Sequence, residues 1–244
     1  MAPTAAALIV GDEILSGKVR ERNLSRLAGE LFALGIRLRR AVVSPDVQEE
    51  IAADICALCG RYDYVFTSGG VGPTHDDLTL PAVAQALNRP LILHEELAQH
   101  VRTIYGARCN PNHMRMAHVP QGTTLVFGPK LRWPVIALGS LFVLPGVPEI
   151  FSMKLDALKI HLRQPHGFIT RAVYALCDEG EVADCMQQLA QSHPDVAIGS
   201  YVKWQAKDYN LKVTFDGTDP IAVSRVLARF VKNLPAGSLV RVED

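Results

Sequence analysis

Apolar residues along this chain switch between two rhythms. Residues 6–10 (Ala-Ala-Leu-Ile-Val) form a short unbroken apolar run of the length expected for a buried strand. After a polar loop at residues 11–22, residues 23–34 place Leu24, Leu27, Ala28, Leu31 and Leu34 on one helical face, and Gly35 stands where helices commonly end. The alternation repeats: residues 36–43 read as strand, 47–59 as helix, 64–67 as strand, and 80–87 as helix with Pro81 tolerated in its first turn. Strands that alternate with helices predict a parallel sheet covered on both faces, whose ligands sit at the carboxyl ends of the strands.

Residues 94–105 read as a helix, 109–116 as a polar turn into a further helix, and 123–127 as a short strand. Residues 135–138 and 141–144 read as strands about Gly139-Ser140, and the rigid loop Pro145-Gly146-Val147-Pro148-Glu149 leads into a helix at 150–162. The stretch Arg163-Gln164-Pro165-His166-Gly167 marks a boundary. Beyond it, strand (168–176), helix (181–190), two strands (196–204 and 210–215), helix (220–234) and strand (238–242) follow in the β-α-β-β-α-β order of ferredoxin-like domains. The expected fold class is α/β: a three-layer sandwich with a mostly parallel sheet over residues 1–164, and a small α+β ferredoxin-like domain over residues 165–244.

At 244 residues, 48% hydrophobic and 20% charged, the chain can bury a sizeable core. Its formal net charge of +0 supplies no basic field for nucleic acid and no polybasic stretch for anionic lipid, so neither nucleic acid nor a membrane is an expected partner. The start Met1-Ala2-Pro3-Thr4 has no positive n-region and no run approaches a membrane span, so a cytoplasmic location is expected. Five cysteines without a secretory leader do not make a disulfide framework. Cys56-Ala57-Leu58-Cys59 has redox-motif spacing but lies inside a helical pattern, where core packing explains it better.

The chemistry concentrates in Thr67-Ser68-Gly69-Gly70-Val71-Gly72-Pro73-Thr74-His75-Asp76-Asp77-Leu78-Thr79, directly after the apolar run Tyr64-Val65-Phe66. Glycines at a strand end let backbone N–H groups close on an anion. Two adjacent carboxylates are hard oxygen ligands of the kind that Mg²⁺-type ions take beside a phosphate. The stretch therefore points to a nucleotide or phosphorylated ligand held with a divalent ion. The sequence contains neither a P-loop Gly-Lys-Ser/Thr nor a Nudix-type glutamate-rich helix.

Three ordered motifs carry a resemblance: Gly11-Asp12-Glu13-Ile14-Leu15-Ser16-Gly17 followed by Asn23, the glycine-rich stretch, and Leu144-Pro145-Gly146-Val147-Pro148-Glu149. Together they resemble the CinA (competence/damage-inducible protein A) family, whose amino-terminal module is a MoaB/MogA-like molybdopterin-binding domain also fused into eukaryotic FAD synthases. Phe127-Gly128-Pro129-Lys130-Leu131-Arg132-Trp133-Pro134 is closer to the FAD-synthase-like branch, and Arg115 and Met116 stand where many CinA proteins carry a Lys/Gln-Ala pattern. Glu179-Gly180-Glu181-Val182-Ala183 and Ile198-Gly199-Ser200-Tyr201 resemble the family's small second domain. The resemblance implies a pocket lined by the three loops, a homo-oligomer (dimer or trimer) and one of two chemistries. The first is hydrolysis of a dinucleotide pyrophosphate such as ADP-ribose or FAD with Mg²⁺, Mn²⁺, Co²⁺ or Ni²⁺; the second is binding and adenylylation of molybdopterin. Because the sequence ends at residue 244, the nicotinamide-mononucleotide deamidase domain of full-length CinA and the FAD-synthesising domain of the eukaryotic fusion are expected to be lacking.

On this reading the N–H groups of Gly69, Gly70 and Gly72 bind a phosphate beside Pro73, and Ser68 and Thr74 add hydroxyl hydrogen bonds. Asp76 and Asp77, with Asp12 and Glu13, hold the ion, and His75 is either a general acid or base or a solvated loop residue. Asn23 and Thr79 are each a helix N-cap or a ligand contact. Gly11, Gly17, Pro145, Gly146 and Pro148 shape the pocket rim, and Glu149 reaches the ligand or caps the following helix. Three functions follow: a nucleotide pyrophosphatase as the leading reading, a pterin-binding or adenylyl-transferring protein of molybdenum-cofactor biosynthesis, and a non-catalytic ligand-binding or assembly module.

Overall fold

The computed structural model of the chain describes residues 2–129, 131–162, 166–204 and 208–244. The chain divides into two compact units, residues 1–164 and 165–244. Arg163, Gln164 and Pro165 of the boundary stretch lie outside the described residues, as does Lys130.

In the first unit six strands form one sheet in the order β2-β1-β3-β8-β7-β6. β1 (Thr4–Val10), β2 (Arg37–Ser44), β3 (Tyr64–Ser68) and β8 (Leu141–Leu144) run parallel, while at one edge β7 (Val135–Leu138) pairs antiparallel with β8 and β6 (Thr124–Val126) antiparallel with β7. β1 is buried on both faces. Ala5 and Ala7 belong to a cluster with Leu27 and Leu31 of α2 (Asn23–Ala33) and Phe151, Leu155 and Leu158 of α7 (Pro148–Leu162). Ala6, Leu8 and Val10 belong to a second cluster with Ile51 and Ile55 of α3 (Gln48–Leu58), Val83 of α4 (Thr79–Ala86) and Leu97 and Val101 of α5 (Glu95–Tyr105). Burial on both faces is what makes this strand an unbroken apolar run and the unit a three-layer sandwich. α2 ends in a Schellman motif: Gly35, at φ 79, donates its N–H to the Phe32 carbonyl, and the Ile36 N–H reaches the Leu31 carbonyl.

Three features depart from the sequence pattern. Within the expected polar loop lies the single-turn helix α1 (Asp12–Leu15), which buries no side chain, so no apolar periodicity announces it. β4 (Leu91–Leu93) and β5 (His118–Pro120), on either side of α5 and α6 (Pro111–Arg115), make a separate two-stranded sheet from strands too short to show a period. α7 begins at Pro148, inside the loop read as rigid, because proline suits the first helical turn.

In the second unit, β9 (Ile169–Ala175), α8 (Glu179–Ser192), β10 (Ala197–Val202), β11 (Leu211–Gly217), α9 (Pro220–Lys232) and β12 (Leu239–Glu243) form an antiparallel sheet ordered β10-β11-β9-β12 with two helices. Val173, Val213 and Phe215 of the sheet cluster with Val182 of α8 and Val226 and Phe230 of α9. Among the described residues no helix is long and apolar enough to cross a membrane.

The tightest backbone approach in the first unit lies where β3 ends. Gly69 has φ +106, and a Cβ there would sit 2.1 Å from the Val10 carbonyl oxygen. Gly69→Ala is expected to lose about 3 kcal/mol or more of unfolding free energy, because strain and overlap add. Gly17→Ala, at φ +72 with open space around it, is expected to lose about 1–2 kcal/mol. Urea unfolding midpoints of the two variants check this order.

Candidate functional site

β1, β3 and β8 are adjacent and parallel, so the loops that follow them emerge at one edge of the sheet. Asn23, 3% exposed, ties two of these loops together: its Nδ2 donates to Ser68 Oγ at 2.9 Å and to the Gly146 carbonyl at 2.8 Å. Ser68 Oγ in turn donates to the Pro145 carbonyl at 3.4 Å, and the Gly69 N–H donates to the Leu144 carbonyl at 3.2 Å. Asn23 is therefore a clamp. It is not the N-cap of α2, a position held by Arg22, and neither it nor Ser68 lines the cavity described below.

The glycine turn is closed by a carboxylate of its own. Asp77 Oδ1 accepts from the Gly72 N–H at 2.6 Å, and Oδ2 accepts from the Thr74 N–H at 2.7 Å and the Thr74 hydroxyl at 2.5 Å. The Gly72 N–H and the Thr74 hydroxyl, expected on a ligand phosphate, thus go to Asp77, and the Gly69 N–H goes to Leu144. Of the three glycine amides only that of Gly70 is without an acceptor among the described residues. Thr79 is buried and donates its hydroxyl to the Gly69 carbonyl at 2.8 Å; the N-cap of α4 is Leu78. The physical reason is common to all of these: amides and hydroxyls folded into a tight turn need acceptors, and the turn supplies them from within.

One cavity of about 470 Å³ opens at this edge, and Glu13, Gly69, Gly70, Gly72, Asp77, Pro145 and Gly146 line it from the three loops. The other expected site residues stand outside it. Asp12 is exposed and donates its N–H to Asp46 Oδ2 at 2.9 Å. The His75 side chain is 95% exposed, with Nδ1 3.8 Å from Asp76 Oδ1. Thr74, whose hydroxyl lies within reach of both neighbouring carboxylates, holds the Asp76 carboxyl below the ordinary carboxylate range, helped by the Asp76 peptide N–H and by His75. Pro73 lies inside the turn that Asp77 closes, Gly11 and Gly17 flank α1, and Pro148 and Glu149 open α7.

The four carboxylates expected to share an ion therefore split: Glu13 and Asp77 line one cavity, and Asp12 and Asp76 do not. Among the described residues no group of three or more His, Cys, Asp or Glu side chains is placed to hold a metal. A carboxylate offers about four acceptor sites and Asp77 has three filled, so among the described residues the cavity wall offers two carboxylates, one of them largely engaged. This donor set does not fit a closed metal centre. It fits an ion that shares its coordination with ligand phosphates, as Mg²⁺ commonly does.

Sequence reasoning missed the rest of the wall. Leu97 and Tyr105 of α5, Met116, Trp133 and Ile136 give it an apolar and aromatic face, and Lys154 of α7 adds a cation. Lys154 is 7% exposed, and burial pushes its amine down from 10.5 to about 8. The signal for it was in the sequence: a lysine three residues after Phe151 and four before Leu158 falls on the apolar stripe of the helix. A smaller cavity of about 260 Å³ shares Val71, Gly72, Asp77 and Met116 and adds Arg115 and His118. Burial, and Cys56 beside it, push the Cys59 thiol up, away from the thiolate that redox chemistry needs, and Cys56 Sγ donates to the Ala86 carbonyl.

Two outcomes follow from this geometry. Asn23→Ala leaves the Ser68 hydroxyl and the Gly146 carbonyl without their donor, and a loss of about 1–3 kcal/mol in urea unfolding is expected. For Lys154, the unfolded chain keeps its proton up to 10.5 whereas the folded chain releases it near 8, so the unfolded state holds more protons in between. Stability is expected to rise with pH across that window and, in Lys154→Met, to lose that rise; urea midpoints at pH 7, 8, 9 and 10 check it.

Residues 6–164 match a family described as probable molybdopterin binding domain, and residues 167–243 match one described as FAD synthase, middle domain. A Caenorhabditis elegans protein named probable FAD synthase is 30% identical over 264 residues, covering 97% of this chain and 51% of its own length. A CinA-like protein of Geobacter metallireducens is 31% identical over 236 residues, covering 91% of this chain and 56% of its own length. The chain thus spans about half the length of these curated relatives. The crystal structure of a CinA protein of unknown function from Thermoplasma acidophilum is similar at a TM-score of 0.61 and 30% identity, over 66% of this chain and 98% of that one. With its first unit matched over nearly its whole length, the chain belongs to the family of probable molybdopterin-binding domains, with CinA-like and FAD-synthase-like proteins as its relatives.

Proposed function

We propose that this chain binds a phosphorylated nucleotide or pterin in the larger cavity and hydrolyses the pyrophosphate of a dinucleotide such as ADP-ribose or FAD with the help of a divalent ion. The observation that carries the reading is the mixture on one wall: an aromatic and apolar face for a flat ring beside two carboxylates, a glycine turn and a buried cation. The name of the worm relative and the match of residues 167–243 to an FAD synthase middle domain favour a flavin dinucleotide among the candidates.

Glu13 and the remaining acceptor site of Asp77 would hold the ion, with ligand phosphate oxygens completing its shell. Such an ion, when bound, polarises phosphorus and lowers the pKa of water. The chain's own residues orient the substrate: Trp133 and Tyr105 take the ring, and the Gly70 N–H donates to an oxygen of the pyrophosphate. Asp77 keeps the turn closed around that amide, while Asn23 holds the loop after β8 against it. His75 takes no part, because its side chain stands in solvent.

The family match also supports a second reading, pterin binding with transfer of an adenylyl group, because the same aromatic face suits a pterin ring. A panel separates the readings: purified protein with ADP-ribose, FAD and NAD, each with Mg²⁺, Mn²⁺, Co²⁺ or Ni²⁺, followed for AMP. Release of AMP that falls about 100-fold, the rate equivalent of ~3 kcal/mol, in Glu13→Gln is expected. Silence across the panel overturns hydrolysis. Tight pterin binding with ATP-dependent AMP transfer would put the second reading first, and binding without any turnover would leave a ligand-binding module.

A further inference from the structure

Two lysines of α7 have opposite surroundings. Lys159 Nζ pairs with Asp156 Oδ1 at 2.7 Å and with Glu30 of α2. Partial burial acts to lower its pKa, but the hydrogen bonds to Asp156 and Glu30 outweigh burial and the net shift is upward. Lys154 lies deeper, on the buried stripe that includes Phe151 and Leu155, and burial alone acts on it. Among the described residues no carboxylate, carbonyl or hydroxyl accepts a hydrogen bond from its amine.

A buried cation with no partner weakens a fold, and a methionine of similar length would fill the same space without that cost. What Lys154 does have is a place on the cavity wall, together with the glycine turn and the loop after β8. The other ionisable groups on that wall are Glu13, Asp77 and Tyr105. Arg26 and Glu30 of α2 and Asp156 and Lys159 of α7 are engaged with one another. With two carboxylates on the wall, an anionic ligand is repelled unless a positive charge faces it. An ammonium group offers three donors in a low-dielectric site, where an ionic hydrogen bond is strongest.

We propose that Lys154 is the charge anchor of the cavity: its ammonium group receives phosphate or pyrophosphate oxygens, and so selects a phosphorylated ligand over the corresponding nucleoside or unphosphorylated pterin. This rests on the reading of the cavity as the ligand site and adds the group that recognises the ligand's charge. The aromatic face then binds the ring in either form, and Lys154, with the Gly70 N–H beside it, tells the two forms apart. Binding also gives the amine the partner that the fold withholds, so the ligated protein gains stability at this position.

Calorimetric titration of wild type, Lys154→Met and Lys154→Arg with inorganic pyrophosphate, AMP and adenosine tests the idea. Pyrophosphate and AMP are expected to bind about 10- to 100-fold more weakly to Lys154→Met, with partial recovery in Lys154→Arg and adenosine unchanged. The urea midpoint of Lys154→Met at pH 7 is expected to rise, which separates lost recognition from lost folding. Equal binding of pyrophosphate and AMP by wild type and Lys154→Met overturns the anchor and leaves the cavity as a ligand site. An equal loss of adenosine and AMP shows a packing role and overturns the anchor as well. Failure of wild type to bind pyrophosphate, AMP, ADP-ribose or FAD overturns both this inference and the function on which it rests.

Discussion

The bifurcated donation from one buried amide, that of Asn23, is the interaction on which the site depends. Its two N–H bonds end on the side chain of Ser68, the last residue of β3, and on a backbone carbonyl after β8, so the roots of two loops far apart in sequence share one donor. The contact is close enough that a Cβ on Gly146 would lie 3.5 Å from the Gly69 Cα. Neither loop is regular secondary structure, and neither has a ladder of its own to set its path. The cavity wall they form is as well defined as the geometry of that amide.

Charge in the site is arranged by what is matched and what is left unmatched. Asp77 has the donors that a phosphate would otherwise meet, so the glycine turn is already closed around a negative group belonging to the chain. On the proposed function a phosphate would meet a turn whose shape is set in advance, where among the described residues the Gly70 amide is left to offer. Lys154 is the opposite case, a buried charge without a counter-ion among the described residues. A pre-shaped wall with one unmatched cation lowers the ordering cost of binding an anion.

The elements that contact both faces of the sheet were legible in the sequence, because two-sided burial writes an unbroken apolar run such as residues 6–10 and one-sided burial writes the stripe of α2. The convergence of three loops was legible from the strands that precede them and from family motifs. What each side chain does within the loops was not. Asp76 and Asp77 are adjacent and identical in type, yet one closes the turn and the other lies in solvent, and only the path of the backbone decides between them. Asn23 and Thr79 sit at helix starts, where capping is the default expectation, but both turn inward to backbone or side-chain acceptors across the loops. Tyr105 and Trp133 come from segments whose mutual approach depends on packing across the unit, for which local patterning carries no signal.

The strand order has a kinetic consequence. β3 pairs with β8 in a register that joins Val65 to Leu141, so the entire intervening chain, with α4, α5, α6 and the antiparallel edge strands, must be looped back before that pairing forms. Pairings of such long sequence separation close late, because the loop entropy is lost before the contacts compensate for it. The cavity wall needs β8 in place, so the site is completed among the last steps of folding. A chain interrupted before residue 141 could hold β1, β2 and β3 together and still lack this cavity.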